Sequence, residues 1–177
     1  MKKKWDEIIK YWKGFDTVSL DSLNSGASLD ELLLLESYIG QTLPKKFKDF
    51  YQIHNGWKES VILPHPSQLL STEEILDQWN LLNRLYNNEV YEEDEYYQSS
   101  SGTKEVKKVK WNKNWIPYTR CSRGRDFYCL DFDPSDHGVK GQILFFSIDL
   151  GDREFVSTSF EQWIENYVHN LLKERKS

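Results

Sequence analysis

Cysteine is nearly absent from this chain of 177 residues, with only Cys121 and Cys129 present. A disulfide-held scaffold is therefore excluded. Neither cysteine belongs to a C-x-x-C pair, and no histidine stands at ligand spacing to either, which removes the common zinc patterns. A pairing across a hairpin and two separate reduced thiols both remain open, the second being the default in a cytosolic chain. No stretch approaches the roughly 20 apolar residues that a membrane span needs. The N-terminal string MKKKWDEIIKYWKG begins basic, but Asp6, Glu7 and Lys10 interrupt any apolar run. That is not the pattern of a signal peptide, and cytoplasmic residence is the expectation. Positive charge is also in short supply: 23 Lys and Arg face 28 Asp and Glu, a formal net charge of −5. Non-specific nucleic-acid binding, which needs a basic stripe, is not expected.

Catalytic spacing is the next absence. There is no G-x-S-x-G, no G-x-G-x-x-G and no phosphate-binding loop. His54, His65, His137 and His169 do not pair at i+4 with another ligand, so no metal site is expected. Leu130-Asp131-Phe132-Asp133 has the outline of a phosphatase motif in which an aspartate nucleophile ends a strand. That motif requires Thr or Val where Ser135 stands. A calcium loop fails as well, because Asp136 and Gln142 occupy the positions of the obligatory Gly and Glu. Asp-Pro-Ser-Asp is turn chemistry. The expectation is a chain without catalytic residues, cofactor or metal, and an aspartate-based phosphatase is the weakest of the alternatives.

What the chain has in quantity is aromatic residues, 15% of the total, with seven tryptophans. Rings carry large buried area, so they are expected to build the core. Trp5, Ile8, Ile9 and Trp12 share one helical face. Ser28 and Glu31 form a capping box before a stripe of Leu32, Leu35 and Ile39, widened by Leu33 and Leu34, with Gly40 as the stop. A third helix begins near Pro44, with Phe47, Phe50 and Tyr51 on its buried side, and ends at Asn55-Gly56. Residues 61–70 read as strand or loop. Ser71 and Glu74 make a second capping box, followed by a stripe of Ile75, Trp79, Leu82 and Tyr86.

Strands are expected at 115–119, 127–132, 141–148 and 155–157. Ile143 to Phe146 are apolar in succession, which suits a central strand covered on both faces. From Ser159 on, Phe160, Trp163, Ile164, Tyr167, Val168, Leu171 and Leu172 keep helical spacing throughout. Helices come first and strands later, closed by a helix. The expected fold is α+β, one domain over 1–177, with helices packed on a mostly antiparallel sheet.

An irregular insertion interrupts this order around 87–110. Its first part is acidic and tyrosine-rich (Glu89, Tyr91, Glu92, Glu93, Asp94, Glu95, Tyr96), and its second part carries Lys104, Lys107, Lys108 and Lys110. The acidic part reads either as a solvated loop or as a docking surface for a basic partner, with carboxylates steering and tyrosines supplying rigid area. Joined with the surface around Trp57 and the turn carrying Asp131, Asp133 and Asp136, it is the expected partner-binding region, because binding residues concentrate outside regular elements.

Several strings in a fixed order then carry a resemblance. They are the helix with Glu36, Gly40, Leu43-Pro44-Lys45-Lys46-Phe47, His54-Asn55-Gly56 and Leu69-Leu70-Ser71 leading to Glu73-Glu74-Ile75 and Trp79. Trp111-Asn112, Trp115-Ile116-Pro117, Cys129 to Pro134, Gly138, Gly141-Gln142-Ile143 and Ser159-Phe160 with Trp163-Ile164 complete the set. Together they resemble the SUKH superfamily, which includes the yeast cell-wall assembly and glucan-synthesis regulators. Asn55 replaces an Asp frequent in bacterial relatives, and Ser147-Ile148-Asp149 replaces a stretch that often carries His-Asp. The resemblance implies an α+β fold without established catalytic residues. It also implies a role as an immunity protein that binds a secreted toxin, often a nuclease, or as a regulatory scaffold in cell-wall or envelope synthesis.

Overall fold

The computed structural model describes residues 1–15, 18–62, 67–86, 103–149 and 153–174. The acidic run from Glu89 to Tyr96 lies outside the described residues. Among those described, the helices are α1 (Lys2–Trp12), α2 (Leu29–Ile39), α3 (Lys45–Tyr51), α4 (Thr72–Tyr86) and α5 (Phe160–Glu174). The strands are β1 (Trp57–Ile62), β2 (Ser67–Leu69), β3 (Trp115–Pro117), β4 (Thr119–Cys121), β5 (Asp126–Asp131), β6 (Gln142–Ser147) and β7 (Arg153–Ser157). They form two antiparallel sheets, ordered β1-β2-β4 and β3-β5-β6-β7.

Local chemistry sets the helix ends. The Glu31 carboxylate accepts from the Ser28 amide at 2.7 Å, and the Ser28 hydroxyl accepts from the Glu31 amide at 3.2 Å. Glu74 and Ser71 repeat the exchange before α4, at 2.9 and 3.2 Å. Each box satisfies amides that the first helical turn leaves without a partner. Gly40 closes α2 at φ +66°, a conformation that glycine adopts without a Cβ penalty.

β6 is an interior strand whose residues are all buried, and its side chains alternate between two cores. Ile143 and Phe145 join the main core with Tyr128 and Leu130 of β5 and the rings of α1, α3 and α5. Leu144 and Phe146 join a second core with Phe127, Cys129, Trp115, Val106 and Leu82. The four-stranded sheet is thus covered on both faces, which is why its strands read as continuous apolar runs. The main core is aromatic: Trp5 stacks on Phe50 with centroids 4.4 Å apart, and Trp163 stands edge-on to Tyr118 at 5.1 Å. Indole N–H groups find partners inside it, Trp5 on the Phe50 carbonyl and Trp12 on the Tyr167 hydroxyl, both at 3.0 Å.

One expectation needs revision. There are two sheets rather than one, because the stretch 115–119 changes sheet at Tyr118. Pro117 still pairs with Cys129 of β5, whereas Thr119 pairs with Leu69 of β2. The β1–β2 hairpin supplies the remaining strands of the smaller sheet. The two cysteines are free, and each has its own place. The Cys121 sulfur accepts from the amides of Arg125 and Asp126 at 3.4 and 3.3 Å, closing the β4–β5 turn. Cys129 is fully buried, and burial pushes its thiol well above the usual range.

Candidate functional site: the aspartate turn and the outer face of α2

Asp131 ends β5 and is fully buried. One carboxylate oxygen accepts from the Gln142 side-chain amide at 2.8 Å, the other from the Asp133 amide at 2.9 Å. Gln142 also bonds the Glu105 carbonyl at 2.9 Å and the Val139 amide at 3.0 Å. Burial pushes the Asp131 carboxyl up to about 6, against these hydrogen bonds, which favour its charged form. Asp133 sits two residues on, half-exposed. Burial opposes its charge, but the Lys107 ammonium and the Asn112 amide outweigh that and hold it below the usual carboxylate range.

The basic half of the insertion is therefore docked rather than loose. Val106 is buried in the second core, and Lys107 reaches Asp133. The Ser135 amide and hydroxyl bond the carbonyls of Glu105 and Lys104. Gly138 makes this closeness possible, since a Cβ there would stand 2.4 Å from the Glu105 carbonyl oxygen. Asp136 and His137 line a cavity of about 390 Å³ with Lys104, Lys107 and Lys108.

The aspartates thus divide by role. Asp131 and Asp133 hold the turn and its docked segment, while Asp136 faces solvent. Both Asp131 oxygens are engaged in hydrogen bonds and covered. Among the described residues, no cluster of His, Cys, Asp and Glu is arranged to hold a metal.

A measurable consequence follows from the raised Asp131 carboxyl. An unfolded aspartate titrates near 3.9, so between about pH 4 and 6 the folded chain binds the extra proton. Stability is then expected to rise as pH falls through that window, by up to about 3 kcal/mol from this group. The Asp131→Asn chain lacks that increment. Urea melts from pH 7 to 4.5 that give parallel curves for the two chains would refute the buried titrating carboxyl.

Trp57 is also placed inside. It is 1% exposed, its ring lies 6.4 Å from that of Trp5, and its N–H donates to the Ser22 hydroxyl at 3.0 Å. The expectation that Trp57 and Asp131 offer their side chains to a partner is overturned by this burial. Asp133 and Asp136 remain at the surface. The acidic tyrosine run cannot be placed beside them, being outside the described residues.

The surface feature that the sequence reading passed over is on α2. Its inner face is Leu32, Leu35 and Ile39. Its outer face carries Leu29, Leu33, Leu34 and Tyr38, exposed by 57, 48, 56 and 59%. Asp30 and Glu31 stand among them, also exposed. The signal was legible as four consecutive leucines, 32 to 35: a run longer than one helical face can bury places some of its members on the other.

Helices laid over two antiparallel sheets, with a tightly cross-linked aspartate turn and an apolar outer helix face, define an α+β domain. The chain belongs to the SMI1/KNR4 family (SUKH-1), whose model matches residues 26–166. It is also similar to F-box only protein 3 of Rattus norvegicus and of Homo sapiens, each 22% identical, and of Bos taurus, 21% identical. Each of these matches runs over 179 residues and covers 97% of this chain but 34% of the relative. The chain thus spans about a third of the length of these curated relatives. No described helix is long and apolar enough to cross a membrane.

Proposed function

We propose that this chain works by binding another protein rather than by catalysis, and that it is an immunity protein that neutralises a toxin with a basic domain by direct contact. The observation that carries the reading is the outer face of α2, four large apolar side chains in the open with two carboxylates among them. Burial of such a face against a partner supplies affinity, and the carboxylates favour a partner with basic residues around an apolar centre. The net charge of −5 acts in the same direction. Cytoplasmic residence suits the same role.

The second reading is a regulatory scaffold in cell-wall or envelope synthesis. It rests on the family resemblance, which includes the yeast cell-wall assembly regulators.

The test is a binding titration against the nuclease domain of a toxin encoded beside this chain's gene. Leu33→Asp combined with Leu34→Asp is expected to weaken the complex by about a hundredfold or more, as for two central anchors. The melting temperature should barely move, because both side chains lie off the core. Unchanged affinity in the double variant removes α2 from the interface. Absence of any complex with the toxin domain rejects the immunity role and leaves the scaffold.

A further inference from the structure

We propose that Arg120 is the anchor of a carboxylate-binding site, a pocket that takes an acidic side chain of a partner together with an apolar neighbour. The proposal stands apart from the reading of α2 and uses a different face. Arg120 lies on β4, directly across from Gln68 of β2. Its guanidinium meets two side-chain carbonyls, that of Gln68 at 3.3 Å and that of Gln78 at 3.5 Å. Gln78 projects from α4 and is 4% exposed. Gln68 is turned toward the arginine because its own amide donates to Glu74 at 2.9 Å. Glu74 in turn is engaged with the Ser71 amide at the start of α4.

Two neutral amides therefore orient the guanidinium without neutralising it, and both contacts are at the long end of the hydrogen-bond range. Arg120 is half-buried and makes no ion pair with any described residue. Arg125, five residues on, behaves otherwise and pairs with Asp149 at 3.3 Å. Lys45, Lys46, Lys48 and Lys107 likewise each have a carboxylate. Partly buried charge is ordinarily paired, so an oriented guanidinium left without an anion is a site prepared for one.

The surroundings fit that role. Arg120 faces a cavity of about 340 Å³ that also holds Arg123, Ser122 and the buried Gln78, and among the described residues no carboxylate lines it. A cavity of this size has room for a side chain. Leu81 forms one wall, and Leu85 lies a turn further along α4; they are 43% and 63% exposed. A guanidinium fork beside an exposed apolar strip matches a peptide with an Asp or Glu next to an aliphatic residue, the carboxylate taken in a charge-assisted pair.

The experiment is a titration of the whole chain, observing the guanidinium Nε–H signals of Arg120 and Arg123 by ¹⁵N NMR. The probes are acetyl-Asp-Leu-amide, acetyl-Asn-Leu-amide and inorganic phosphate. The aspartyl peptide is expected to shift Arg120 saturably, and the asparaginyl peptide to bind about tenfold more weakly or not at all. Arg120→Gln should abolish the response. Gln78→Glu places a carboxylate against the arginine from within, and should abolish binding while the melting temperature holds or rises. This second variant separates loss of the site from loss of the fold. Equal binding of the two peptides, no saturation by the aspartyl peptide, or unchanged binding in either folded variant overturns the proposal. Phosphate binding more tightly than the aspartyl peptide overturns the assignment to a protein carboxylate.

Discussion

Replacing Trp57 with Ala is expected to destabilise the domain by about 3–5 kcal/mol, the range for removing a buried tryptophan from a packed core. The side chain is 1% exposed at the junction of the smaller sheet with α1 and the Leu20–Ser22 turn. Its strand position pairs with Leu69 on one side and bridges to Leu23 on the other. Deletion leaves a cavity in the packed core and removes the indole N–H bond to the Ser22 hydroxyl. A thermal melt decides the matter. If Trp57 belonged to a docking surface, Trp57→Ala would melt with the parent chain and lose only affinity, whereas core placement requires a large drop in melting temperature.

Gly56→Ala should be comparably damaging, although it adds only one methyl group. Gly56 has φ +86°, where a side chain is strained irrespective of space. Space is lacking too: an added Cβ would stand 2.6 Å from the Ser71 nitrogen, 2.8 Å from the Leu70 carbonyl carbon and 2.9 Å from the Leu69 oxygen. All three are backbone atoms, so no side chain can turn aside. The neighbouring Asn55 locks the same junction, its side-chain carbonyl accepting from the Thr72 amide at 2.8 Å and its side-chain amide donating to the Thr72 hydroxyl at 3.0 Å. Strain and displacement together are expected to cost about 2–4 kcal/mol. Urea unfolding of Gly56→Ala with an unshifted midpoint would refute the close approach of the 54–56 turn to the start of α4.

This junction gives His54-Asn55-Gly56 a structural reason to carry a family resemblance. His54 shares a hydrogen bond with the Asn24 carbonyl at 2.9 Å and stands edge-on to Trp5, and Asn24 donates to the Asn55 carbonyl at 2.7 Å. The motif fastens three segments of backbone. The Asp131 turn is a similar case. Its string has the outline of a nucleophile motif, but its oxygens hold Gln142 and the Asp133 amide, and its neighbour Asp133 holds the lysine segment.

The sequence by itself determined the elements whose cause is local. Two capping boxes, the glycine after α2, the unbroken stripe of α5 and the two-sided apolar run of β6 each depend on residues a few positions apart. Those short-range constraints survive in whatever fold contains them. The α+β class followed from the order of the elements, and the two-sided run already required cover on both faces of β6. Tertiary structure alone decided which cover lay where. Val106, Leu82 and Trp111 pack against one face and α5 against the other, an arrangement set by contacts between residues far apart in the chain. It also decided the step of Tyr118 from one sheet to the other, and the sorting of like residues into opposite roles. Trp57 went inside while Leu33 and Leu34 stayed outside, and Asp131 was covered while Asp136 was not. Burial depends on what the rest of the chain brings against a residue, and residue type sets only the cost of each placement.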